Sequence, residues 1–175
     1  MLLYSLLIFI NLNEFEFMRN ISFIGAIYTF LFACLGVIIA YLIFSAMAGT
    51  LLWILRISFL PSILIGILFV MISSFHLGKL SAYFIVIKRI NSILFGILTT
   101  FLVVIISTFF GSLLMFFQEG IFSNRSLCYE INSYIFNPII AIFIFGLIPN
   151  IILGIFLGLK LKKKLTISPV GTMIS

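Results

Sequence analysis

Four apolar runs, residues 21–45, 51–75, 92–116 and 136–160, dominate the chain. Each holds about 25 residues, and at a rise of 1.5 Å per residue that length crosses a hydrocarbon core of about 30 Å with some tilt. Soluble domains have no use for such stretches, because their helices and strands are shorter and broken by polar faces. Of the 175 residues, 64% are hydrophobic and 8% charged. A soluble domain carries about 25% charged residues, so this surface is composed for lipid. The expected fold is all-α, a polytopic transmembrane helical bundle of four spans. Five or six spans is the rival count, since the apolar run 21–55 has room for two short crossings or a re-entrant piece.

Charge placement orients the four spans. Arg19 precedes the first; Lys79, Lys88 and Arg89 fall between the second and third; Lys160, Lys162, Lys163 and Lys164 close the fourth. An even number of crossings separates these places, so all of these cations share one side, which the positive-inside rule makes the cytoplasm. Both termini are then cytoplasmic. The net charge of +6 follows from this arrangement, and no nucleic-acid partner is expected. The expected partner is the bilayer itself, with residues 160–164 against anionic head groups at about 1 kcal/mol per basic side chain. The short, Phe- and Ile-rich, loop-poor chain points to a bacterial inner membrane. On that reading the Asn124-Arg125-Ser126 sequon has no consequence.

Three regions emerge: an N-terminal segment 1–20, a transmembrane domain 21–164, and a short cytoplasmic tail 165–175. Residues 1–10 are apolar but too short to cross, and 11–20 are polar, without the cleavage pattern of a signal peptide. An interfacial helix and an upstream extension of a chain starting at Met18 both stay open. Spans one and two are expected to turn near Ala46-Met47-Ala48-Gly49-Thr50, with Trp53 as an interfacial anchor. Residues 76–91 form the cytoplasmic connection, in which 80–87 either lies in the membrane plane or extends the third span. Residues 117–133 form the one sizeable external loop.

Helices in lipid associate through small residues that let backbones approach. In span one Ser22, Ala26, Thr29, Ala33, Gly36 and Ala40 share a face. In span four Gly146, Asn150, Gly154 and Gly158 recur at steps of four. Ala26, Ala33, Gly36, Ala40, Gly146, Gly154 and Gly158 are therefore expected at helix contacts, either within a monomer or against a membrane-protein partner or second copy.

Three residues are candidates for binding. Arg56 is the one charge inside a predicted span, close enough to its outer end to snorkel beside Trp53 or to face an anionic group. Asn150 follows Pro149 near the bilayer midplane, where a proline frees a carbonyl one turn earlier and broken helices build transporter sites. The bland alternative is a kink held by Asn150 bonding a neighbouring helix. His76, the sole histidine, is placed at the inner boundary of span two as a cap or a ligand. Asn137-Pro138 reads as helix initiation and Pro61 as a second kink.

The absences weigh more. The chain has no Asp, and no Glu lies in a span. Intramembrane peptidases and proton-driven antiporters need buried carboxylates, metal hydrolases need clustered ligands, and thiol relays need paired cysteines where Cys34 and Cys128 stand alone. No catalytic residue, metal or cofactor is expected.

The last span, ending in Leu161-Lys162-Lys163-Lys164, resembles the final helix of vitamin-uptake substrate-capture subunits, which have six spans and also end inside. That resemblance implies transport. In size and span number the chain is also similar to immunity proteins against pore-forming bacteriocins. The leading expectation is a non-catalytic membrane subunit associated with transport. An immunity or interaction protein acting within the bilayer comes second, and a lipid-modifying enzyme using Arg56 third.

Overall fold

The computed structural model describes residues 2–49, 60–121 and 126–166. Among them every regular element is helical: α1 (Leu2–Ala48), α2 (Leu60–Val86), α3 (Ser92–Met115), α4 (Leu127–Ile131) and α5 (Asn137–Thr166). Two wide π-type turns, Phe116–Gly120 and Asn132–Phe136, continue α3 and lead into α5. Four segments are long and apolar enough to cross a membrane: Met18–Ile43, Leu60–Val86, Ser92–Gly120 and Leu127–Lys163. This is the build of an integral, multi-pass membrane protein. Since α1 is one unbroken helix of 47 residues, there is no re-entrant piece between 21 and 48, and four spans prevail over five or six.

Span boundaries differ from expectation in three places. The described part of α2 starts at Leu60 and runs on to Val86, past the expected span end at 75. Pro61 is the second described residue of α2, and the residues before it, 50–59, lie outside the described residues. The expected connection 76–91 shrinks to the turn after Val86: 80–86 completes α2 and Ile87 begins the turn, so this stretch is neither a separate helix nor an extension of the third span. The physical reason lies in the hydroxyls that look like a polar exit. Ser73, Ser74 and Ser81 each donate to a carbonyl three or four residues back on α2, which satisfies them inside a helix in lipid. Likewise the described parts of the expected loop 117–133, 117–121 and 126–133, are largely helical, with Glu130 buried in α4 and the Tyr134 hydroxyl 3.5 Å from Glu119 Oε2.

Neighbours in the chain are neighbours in the bundle: α1 packs on α2, α2 on α3 and α3 on α5, while α1 and α5 meet over a shorter stretch. The closest approach is α3 on α5. A Cβ at Gly154 would stand 2.5 Å from Ile97 Cα, and one at Gly96 would collide with the Gly154 carbonyl and Gly158. On the other side, a Cβ at Gly25 would lie 2.5 Å from the Gly78 carbonyl oxygen, so α1 and α2 also touch backbone to backbone. Gly66 and Gly111 bring α2 and α3 together more loosely, with 3.4 Å between the Gly111 Cβ position and Gly66 Cα.

Ile21, Ala82, Ile85, Leu157 and Leu161 form the apolar core, joined by Ile24, Tyr28 and Phe95. It lies at the end of the bundle where Arg19, Lys88, Arg89, Lys160, Lys162 and Lys163 gather, here termed the basic end. There Asn91 caps α3, its side-chain oxygen accepting from the Ile93 N–H at 3.1 Å and the Leu94 N–H at 3.5 Å. Arg89 takes a left-handed conformation, φ 51°, to close α2, and Gly49, φ 67°, ends α1 at the opposite end.

Candidate functional site

Above the apolar core, toward the far end, the four spanning helices do not close on one another. They enclose a cavity of about 790 Å³, within the 300–1,000 Å³ typical of ligand pockets. Its α1 wall runs from Thr29 to Ile43 through Ala33, Gly36 and Ala40; its α2 wall includes Ser62, Gly66 and Val70. On α3 it extends from Thr100 to Met115, and on α5 from Ile142 to Leu153. Along either α1 or α3 the cavity is thus about 20 Å long. None of its described lining residues is charged.

The polar groups on its wall are few and mostly occupied. The Ser107 and Thr108 hydroxyls donate to the Val104 carbonyl at 2.9 and 2.8 Å. The Thr100 hydroxyl lies 2.9 Å from the Ile97 carbonyl and 3.1 Å from that of Asn150. Ser62 reaches Gln118 Oε1 at 3.3 Å near the far end. Two groups differ. Thr29 Oγ1 is buried with no hydrogen-bond partner, pressed toward Gly78 of α2. The Asn150 side chain is 8% exposed, lines the cavity and makes no hydrogen bond to a described protein group. Buried polar groups are normally paired, so an idle amide at this depth is informative.

The wall is incomplete on one side. Of the described lining residues, those classed as exposed are Ile38 and Ala40 on α1 and Phe145 on α5. Ile38 is 55% and Phe145 53% exposed. Both flank the seam where α1 and α5 part company: below it Gly36 still meets Leu153, whose Cδ1 would stand 3.3 Å from a Cβ there.

The residues singled out in the sequence are scattered. Asn150 lies on the cavity wall. Its link to the neighbouring helix, however, runs through its backbone carbonyl to Thr100 and leaves the side chain unused. His76 sits within α2, not at a span boundary, exposed on the outer face and edge-on to the Phe75 ring at 6.0 Å. Lys79 covers the same ring, with Nζ 4.3 Å from its centre, so Arg56 is not the one cation along a span. Arg56, Trp53, the sequon's first two residues and 167–175 lie outside the described residues. Among the stripe residues Ala26 is fully buried, and Gly154 and Gly158 abut α3. Ala33, Ala40 and Gly146 instead face the cavity. Gly25 and Gly78, the tightest α1–α2 contact, stood outside the expected stripes. Among the described residues no cluster of three His, Cys, Asp or Glu offers a metal site, and Cys34 and Cys128 are free thiols.

Small residues on α1 and α5 would have signalled the cavity: Ala33, Gly36, Ala40 and Gly146 leave a void unless a neighbouring backbone fills it. Compared with protein-family models, curated proteins and solved structures, the chain matches none of them.

Proposed function

We propose that this protein is a non-catalytic membrane subunit that holds an apolar ligand within the bilayer, working with a transport system of a bacterial inner membrane. The cavity and its sideways seam between α1 and α5 carry this reading. A cavity whose described walls carry no charged side chain is suited to retaining an apolar molecule. Both termini lie in the cytoplasm, on the strength of the cations at the basic end. Purification in mild detergent tests the assignment: a stoichiometric membrane or ATP-hydrolysing partner is expected, and a partner-free monomer overturns it.

The exposed seam also supports a second reading, an immunity or interaction protein. Ile38 and Phe145 flank a groove in which an apolar helix of another protein has room to lie against α1 and α5. Survival assays against a pore-forming toxin, with and without the protein, separate the two.

A further inference from the structure

We infer that the ligand is an uncharged, single-chain lipid bearing a hydrogen-bond acceptor, taken up sideways from the bilayer and anchored by Asn150. The inference deepens the reading of the cavity as a binding site. Three observations select this class.

First, the cavity is elongated, about 20 Å along the helix axes, and its walls are overwhelmingly aliphatic and aromatic. A long hydrocarbon chain matches that shape better than a compact polar solute. Second, among the described residues no charged side chain lines it. A charged headgroup drawn to the level of Asn150 would meet no counter-charge among the described residues, and burial of an unpaired charge is strongly unfavourable. Asn150 lies ten residues from Lys160, about 15 Å along α5, so the basic end does not supply one. Third, the Thr100, Ser107 and Thr108 hydroxyl protons are already directed at helix carbonyls. Besides the Thr29 hydroxyl, which is pressed against Gly78 of α2, that leaves the Asn150 amide as the one unengaged N–H donor on the described wall, on a residue more than nine-tenths buried. A carbonyl, ester or hydroxyl oxygen on the ligand would satisfy it. The route in is the seam at Ile38, Ala40 and Phe145, reached from lipid and not from water.

The test uses the purified full chain in phosphatidylcholine vesicles and a monoacylglycerol whose acyl chain carries a photoreactive diazirine. Adducts are expected on cavity-facing positions of α1 and α5. Asn150→Leu, which removes the donor while keeping bulk, should weaken labelling about tenfold, the value of one hydrogen bond near 1.4 kcal/mol. Ala40→Phe, at an exposed position where misfolding is a lesser risk, should slow labelling by obstructing the seam. Unlabelled monoacylglycerol should compete, and the ionised fatty acid of the same chain length should compete at least tenfold less well. Adducts confined to outward positions away from the seam, such as Leu64, Leu68 and Leu98, would mean annular lipid alone and overturn the site. Equal labelling of Asn150→Leu and the parent protein overturns the anchor, and equal competition by the fatty acid overturns the uncharged class. Because binding is read on the isolated protein, it is independent of whether a transport partner co-purifies.

Discussion

Single side chains divide this bundle into positions that tolerate a methyl group and positions that do not. A Cβ at Gly154 would meet the Ile97 backbone at 2.5 Å, where nothing flexible can yield. At Gly146 it would meet only the Asn150 amide of its own helix, at 3.1 Å. Gly154→Ala should therefore destabilise the protein by about 1–3 kcal/mol, the usual cost of overpacking, while Gly146→Ala stays within about 0.5 kcal/mol. Unfolding in mixed detergent micelles measures both. Spacing alone makes these glycines equivalent, since both belong to one stripe at steps of four; which of them has a backbone opposite depends on how the helices diverge. Thr29 offers a second contrast. Its hydroxyl is buried with no partner, so the near-isosteric Thr29→Val removes a desolvated polar group. Stability should be unchanged or higher in the same assay, whereas a loss above about 1 kcal/mol would mean that the hydroxyl has a partner.

The element scale shows how the helix ends are held and why α2 continues past the expected end of the second span. Asn91 supplies the cap of α3, and Asn91→Ala should cost about 1 kcal/mol. Two residues earlier Arg89 holds a left-handed conformation that suits glycine better. Arg89→Gly should leave stability unchanged or slightly higher, and Arg89→Val, β-branched, should lower it by more than 1 kcal/mol. Thermal unfolding of the three variants decides this. A reader of the sequence sees His76, Lys79 and Ser81 and ends the second span before them. Three serines bonded back onto their own helix and a lysine laid across Phe75 make that segment compatible with a continuous helix. Hydropathy counts polar atoms without counting their partners, so the number of spans was legible and this boundary was not.

At the scale of the described molecule the bundle is tied beside the basic end, while toward the far end α2 and α3 stay in contact at Ser62, Gly66 and Gly111 and a cavity separates the other faces. Gly25–Gly78 and Gly96–Gly154–Gly158 draw the helices together beside the basic end, where Leu157 and Leu161 are fully buried. Beyond Leu153 small residues continue on α1 and α5, but the backbones no longer converge, and the cavity occupies the difference. The sequence carried the small residues plainly. It did not carry their outcome, because a stripe of Gly and Ala reads alike whether a neighbouring backbone fills the space or not. Its amide donor, Asn150, was legible as a polar residue after a proline at mid-membrane, though not as one whose side chain stays idle while its carbonyl binds Thr100. If the far end admits ligand between α1 and α5, bridging it must block uptake. With Cys34 and Cys128 replaced by Ser, Ile38→Cys and Phe145→Cys placed together give a pair across the seam for a flexible bifunctional thiol reagent. Once bridged, the protein should lose uptake of the photoreactive monoacylglycerol by at least tenfold while keeping its unfolding midpoint. The same reagent on either single variant should change nothing. Undiminished uptake in the bridged protein would place the route elsewhere than between these two helices.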